Sequence, residues 1–347
     1  MAKGKRKRPG GDAPTARQPK DRPVPDKASV PATDKASVRP LLLAVAGLIL
    51  TGAVAFLIFG TGSDEEEPSS GAATDVAELA VPWIDPDRIP PVVGAIDINP
   101  ADDTVWFATN TGLFRVPSSG GAPEKVTGNF TTKDSGAGEI SQELAIRFQG
   151  PDQLLASGHP PPGSPLPPAL GLIRSNDAGK TWTEISGTGR DDYHALQLSG
   201  ETIIAGLFGK AGIGVSTDAG KTFDIRTPPD PLVDLAVDPT DANRWVATTA
   251  TGLYVSTDQG RTWRQSDPVP NSWLAWPEKQ TLYRIDPGGS VQRSADGGRS
   301  WEERGSTGGE PQALDGASRD ELHTLLLDGT LKRSEDGGQT WTDLVTP

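Results

Sequence analysis

Apolar residues are distributed along this chain in two ways. One run, Leu41 to Phe59 (LLLAVAGLILTGAVAFLIF), is 19 residues without a charge, about the length that crosses the hydrocarbon core of a bilayer. Beyond about residue 90 the apolar residues fall into short stretches separated by Gly, Pro, Asp and Ser, the pattern of β-strands joined by tight turns. In this region a single octet occurs five times: SNDAGKTW from Ser175, STDAGKTF from Ser216, STDQGRTW from Ser256, SADGGRSW from Ser294 and SEDGGQTW from Ser334. Successive serines are 41, 40, 38 and 40 residues apart. A period near 40 with several short strands per unit predicts the blades of a propeller.

The chemistry inside the octet is that of a turn. Asp177, Asp218, Asp258, Asp296 and Asp336 stand where a carboxylate accepts backbone N–H groups just ahead of it, and the glycine two residues on supplies a positive φ. Trp182, Phe223, Trp263, Trp301 and Trp341 then open the next strand and are expected to pack beneath the turn. Two copies contain Gly-Lys-Thr, but a phosphate-binding loop needs a further glycine five residues earlier. Arg174 and Val215 occupy those places, so no nucleotide is expected. The basic residue at the tip (Lys180, Lys221, Arg261, Arg299) becomes Gln339 in the last copy, which fits a solvated tip rather than a ligand contact.

A second register runs through Ala95, Ala145, Ala195, Ala236, Ala275 and Ala313, each in an apolar strand that opens its unit. Small residues suit the place where blades converge on an axis. The expected fold is therefore an all-β, six-bladed propeller over residues 91–347, each blade a four-stranded antiparallel sheet. The octet has decayed in the first unit, where Ser118 replaces the aspartate.

Charge divides the chain again. Residues 1–39 carry a net +7 and the remainder −20, which argues against nucleic acid as a ligand of the main domain. Basic residues precede the apolar run and Ser63–Glu67 (SDEEE) follows it, so the N-terminus is expected inside and the propeller outside. A cleaved signal peptide would have a shorter apolar core and a small-residue cleavage site, so the run reads as an uncleaved anchor. The expected organisation is a disordered basic cytoplasmic arm (1–39), one transmembrane helix (40–60), an acidic Pro-containing stalk (61–90, with a strand possible at 77–84) and the propeller. There is no cysteine, so no disulfide or thiolate site holds the fold together.

Ligands of propellers usually meet the face where the innermost strands begin. Two positions before each alanine stand Val93, Glu143, Tyr193, Asp234, Trp273 and Pro311. His194 adjoins this ring, and His159 opens the longest loop expected on that face, with Asp191 and Asp192 nearby in the chain. Glu143, His159, Tyr193, His194, Asp234 and Trp273 are thus the candidate ligand-binding residues, with Tyr193 and Trp273 equally readable as channel plugs. Two histidines fall short of the three or four ligands a metal requires, so neither metal nor cofactor is expected. His323 lies within a strand and reads as a packing residue.

The octets are the pattern known as the Asp box or BNR repeat. The stretches INPADDTVWFATNTGLFRV, LLASGHPPPG…ALGLIRSNDAGKTW, DDYHAL and LAVDPTDANRWVATTATGLYVSTDQGRTW resemble a family of bacterial secreted or membrane-anchored BNR propellers labelled glycosyl hydrolases and sometimes exo-sialidase-like. The resemblance covers residues 92–347. It implies that the boxes lie between third and fourth strands, away from the ligand face. His159 and Tyr193-His194 match the family. Pro91-Val92-Val93-Gly94 and Ala108-Thr109-Asn110 stand where members often carry His-x-His-Gly and Ala-Thr-His.

A sialidase would also need an arginine triad, a tyrosine nucleophile beside a glutamate, and an acid. Asp87-Arg88-Ile89-Pro90 is a partial match to the family's arginine motif, and Glu143, Tyr193 and Asp234 are the candidate catalytic residues. The leading expectation is nevertheless a membrane-tethered binding or scaffolding module for a protein, glycan or envelope component. The alternative is a glycoside hydrolase acting on extracellular glycans.

Overall fold

The computed structural model describes residues 93–347, apart from 133–135, 141 and 208–211. The expected arm, transmembrane helix and stalk, the strand at 77–84 and the Asp87–Pro90 motif lie outside the described residues. Among those described, no helix is long and apolar enough to cross a membrane.

Six sheets form the domain. Blade 1 is β1 (Val93–Ile98), β2 (Val105–Thr109), β3 (Gly112–Val116) and β4 (Glu124–Val126). A hairpin of β5 (Gly128–Thr132) and β6 (Gly136–Ile140) follows. Blade 2 is β7 (Gln142–Gly150), β8 (Gln153–His159), β9 (Leu172–Ser175) and β10 (Thr181–Ser186). Blade 3 is β11 (Tyr193–Ser199), β12 (Thr202–Leu207), β13 (Gly212–Ser216) and β14 (Asp224–Arg226). Blade 4 is β15 (Leu232–Val237), β16 (Trp245–Thr249), β17 (Gly252–Ser256) and β18 (Arg264–Asp267). Blade 5 is β19 (Trp273–Glu278), β20 (Thr281–Ile285), β21 (Ser290–Ser294) and β22 (Glu302–Ser306). Blade 6 is β23 (Pro311–Gly316), β24 (Leu322–Leu326), β25 (Leu331–Ser334) and β26 (Thr342–Val345).

Five blades have the expected four strands. The second does not: β5 pairs in parallel with the outer strand β10, so this sheet runs β6-β5-β10-β9-β8-β7. Trp182 sits at this junction: its side chain, 1% exposed, belongs to one apolar cluster with Phe130 and Ile140 of the added hairpin, and it pairs in register with Phe130. Gly128 permits the approach, because a Cβ there would lie 2.3 Å from the Gly179 carbonyl and 2.4 Å from the Trp182 indole nitrogen.

The core is divided among the blade interfaces. Each of six apolar clusters joins two neighbouring blades, and second strands such as β2, β16 and β24 are buried on both faces. The Asp boxes sit between third and fourth strands, as expected. In the first copy Ser175 Oγ accepts the Gly179 N–H and donates to Asp177 Oδ1, both at 2.8 Å, while Asp177 accepts the Thr181 N–H and hydroxyl at 2.8 and 2.7 Å. The same pattern recurs in the other four. Two successive left-handed residues close each turn, as at Ala178 and Gly179.

These turns also key one blade to the next. Ser186 of β10 donates to the Gly220 carbonyl of the blade 3 box, and Arg226 of β14 donates to the Gln259 carbonyl of blade 4. Ser266 of β18 bonds the Gly298 carbonyl, and Arg304 of β22 the Gly337 carbonyl. The ring closes between the corresponding elements with the donor reversed: Gly121, in the decayed turn of blade 1, donates its backbone N–H to the Leu344 carbonyl of β26. Among the described residues no strand is exchanged between first and last blades. Their joint is a packed interface of Ile96, Val105, Phe107 and Phe114 against Leu325, Leu331 and Val345.

Strand pairing corrects the alanine register. Ala95, Ala145, Ala195 and Ala313 sit opposite Ala108, Ser157, Gly206 and Leu325. At the equivalent level of blades 4 and 5 the pairs are Asp234 with Thr248 and Trp273 with Ile285. Ala236 and Ala275 lie two residues deeper. Asp234 and Trp273 are therefore not on the rim but within the axial channel, level with the other alanines.

Candidate functional site

The channel is narrow and electrostatically closed. Its upper section, lined by Ala95, Ala145, Ala195, Asp234, Trp273 and Ala313, holds a cavity of about 50 Å³, and the next layer one of about 100 Å³. Ligand pockets run to roughly 300 Å³ or more, so both cavities fall below that size. In the second layer Arg147 approaches Asp315 at 3.1 Å and Asp97 at 3.5 Å, and its Nε donates to the Leu196 carbonyl. Burial works against the Arg147 charge, but the two carboxylates outweigh it and hold the guanidinium protonated. Asp97 and Asp315 are both raised, chiefly by burial and against the pull of Arg147.

Asp234 takes the Leu235 N–H at 2.7 Å and the Leu274 N–H of blade 5 at 2.8 Å. Burial nonetheless pushes it up to about 7, because these bonds and Arg147 offset only some of the desolvation. It is an inter-blade clasp. Trp273 has the same role, its indole N–H donating to the Pro311 carbonyl of blade 6 at 2.9 Å.

The rim carries a different constellation where blades 2 and 3 meet. His159 ends β8, His194 is the second residue of β11, and Asp192 immediately precedes that strand. His194 Nε2 lies 2.9 Å from Asp192 Oδ2 and His159 Nε2 lies 3.4 Å from the same oxygen. One donor atom from each residue falls within 4.8 Å of the others. His159 Nδ1 is 2.6 Å from the Pro168 carbonyl. A carbonyl only accepts, so Nδ1 carries the proton and Nε2 is turned toward Asp192. The loop 160–171 thus orients its own histidine. Burial disfavours the Asp192 carboxylate, yet the two histidines facing it more than compensate and hold it well below the usual range.

The remaining candidates separate. Tyr193 is 2% exposed and packs on Phe223 at 5.2 Å. Burial and the Asp191 carboxylate push its phenol up to about 12, the reverse of what a nucleophile requires. The backbone of Glu143 belongs to β7, and its side chain is outside the described residues. His323 is buried in β24, as expected. Asn110, where the resembled propellers often carry histidine, is buried with neither amide atom hydrogen-bonded. Asp192 is the residue sequence reasoning undervalued. It was legible only as a chain neighbour of His194, since the approach of His159 comes from another blade.

A groove of about 380 Å³ opens beside the cluster between blades 2 and 3, lined by Arg190, Asp191, Tyr193, Lys221, Phe223 and Ile225. Ile225 is the one large apolar side chain substantially exposed among the described residues, at 57%.

The described chain is an all-β, six-bladed propeller with Asp-box turns. Residues 254–265 match the BNR/Asp-box repeat family. No curated protein matches the chain. Among solved structures it is similar to YCF48 from Cyanidioschyzon merolae, at 14% identity over 73% of this chain and 85% of that one, with a TM-score of 0.45. It is similar to the GH74 xyloglucanase from Xanthomonas campestris at 20% identity over 72% of this chain but 44% of the enzyme, with a TM-score of 0.42. A chain of the nidogen/laminin complex shares 13% identity over 70% of this chain and 93% of its own length, with a TM-score of 0.50. Likeness at these identities concerns the fold alone.

Proposed function

We propose that this chain is a membrane-anchored, extracytoplasmic propeller that binds a protein, glycan or envelope component where blades 2 and 3 meet. The observation that carries the reading is a contrast of size between the axis and the side. The channel holds cavities of only about 50 and 100 Å³ around its ion network, whereas the groove beside Asp191 and Tyr193 has ligand-sized volume and an exposed apolar residue. The anchor is Leu41–Phe59, and the charge asymmetry around it directs the propeller outward.

The hydrolase reading has less support. Asp234 is a clasp inside the channel and Tyr193 is held neutral, so of its candidate residues only Glu143 is left. A photo-crosslinking residue at Ile225 in intact cells should capture a partner, while the same residue at Arg299, in the blade 5 box and outside the groove, should not. Equal capture at both positions, or none at Ile225, argues against the groove. Turnover on a glycoside panel that disappears in Glu143→Gln would establish the enzyme reading instead.

A further inference from the structure

The His159–Asp192–His194 cluster poses a problem of charge balance that hydrogen bonding leaves half solved. Asp192 Oδ2 accepts from His194 Nε2 at 2.9 Å. His159, its proton placed on Nδ1 by the Pro168 carbonyl, turns the basic Nε2 toward the same oxygen at 3.4 Å. Asp192 Oδ1 is buried and has no hydrogen-bond partner. Two imidazole nitrogens and a carboxylate therefore converge on one point, and a positive centre between them would satisfy all three.

The spacings suit a metal ion. Ligands about 2.1 Å from a metal lie roughly 3.0 Å apart at octahedral and 3.4 Å apart at tetrahedral angles, and the two approaches to Asp192 Oδ2 are 2.9 and 3.4 Å. The bond from His159 Nδ1 to a backbone carbonyl is the outer contact that orients metal-binding histidines. Two imidazoles and one carboxylate favour zinc, copper, nickel, cobalt or ferrous iron over calcium or magnesium, which prefer all-oxygen sites.

We infer that His159, Asp192 and His194 form a three-ligand site for a divalent transition-metal ion, with coordination positions open to the rim. The histidine side chains are 33% and 35% exposed, so a bound ion faces solvent. A partner's carboxylate or imidazole could complete its coordination. The site rests on the rim-binding reading only for that last step; metal binding itself is a property of the isolated protein.

The test uses the full-length chain, purified in detergent and stripped with a chelator, titrated with cobalt(II), zinc(II) and, as a control, calcium(II). One equivalent of cobalt should bind with a visible d–d spectrum, be displaced by zinc and be unaffected by calcium. His159→Ala and His194→Ala should each weaken binding by at least about 100-fold, beyond the roughly 10–100-fold expected for disturbing an outer contact. Asp192→Asn should alter the cobalt spectrum. Near-wild-type circular dichroism and melting temperature will show that each variant folds, and His159→Gln and His194→Gln serve if an alanine does not. Absence of stoichiometric binding, or equal binding by wild type and histidine variants, overturns the inference. So does a histidine-dependent shift in melting temperature with pH in the absence of any metal binding, which would identify a proton-only clasp. Ile225 crosslinks that persist alongside absent metal binding would remove this inference and leave the proposed function standing.

Discussion

The serine of each Asp box is almost completely buried, and its hydroxyl does the central work of the turn. Ser294 Oγ accepts the Gly298 N–H and donates to Asp296 at 2.8 Å each. Ser294→Ala strands a buried N–H and should cost about 1–3 kcal/mol, read from urea unfolding, while Arg299→Ala at the exposed tip should stay within about 0.5 kcal/mol. His323 offers a pH-dependent test. Burial, helped by Arg333, lowers its pKa from 6.5 to about 4. The unfolded state therefore takes up the proton first as pH falls, so this contribution to stability is complete above 6.5 and is lost toward 4. Replacing it by leucine should make the variant more acid-tolerant than the wild type by about 2 kcal/mol at pH 5, with the difference fading by pH 7.5. Asp234 has the opposite slope: raised to about 7, it contributes fully at acid pH and loses that contribution as pH rises through 7.

At the scale of strands, the boxes were legible because local chemistry specifies them: a serine, an aspartate, a left-handed pair and an aromatic act within eight residues. The innermost strands were less completely legible. Six were countable from their apolar runs, but alanine served as a marker of depth, and blades 4 and 5 place Asp234 and Trp273 at the level where other blades place alanine. Their side chains bond the next blade, a reason that no single strand contains. The β5–β6 hairpin was missed for a similar cause, since its pairing with β10 depends on a contact between Trp182 and Phe130 that are 52 residues apart in the chain. Gly128→Val should separate β5 from that edge. The expected result is a lower melting temperature and greater exposure of Trp182, seen as a red shift in fluorescence.

At the scale of the ring, the described residues join blade 6 to blade 1 by packing and by the axial ion network. Arg147 bridges Asp97 of blade 1 and Asp315 of blade 6 from its place in blade 2. Arg147→Met leaves two buried carboxylates facing each other and should cost about 3–5 kcal/mol. Combining it with Asp97→Asn and Asp315→Asn should recover most of that loss in thermal melts. A triple variant no better than the single would mean that the network acts through geometry rather than charge.

Periodicity and turn chemistry determined the all-β class and the number of blades, because both depend on residues close together in the chain. The same local patterns identified the two histidines and their face. Tertiary structure decided which candidates meet: Asp192 joins His159 and His194, Asp234 and Trp273 become clasps, and Tyr193 goes into packing. Those outcomes turn on strand register and on contacts between blades, where a shift of two residues moves a side chain from the rim into the channel.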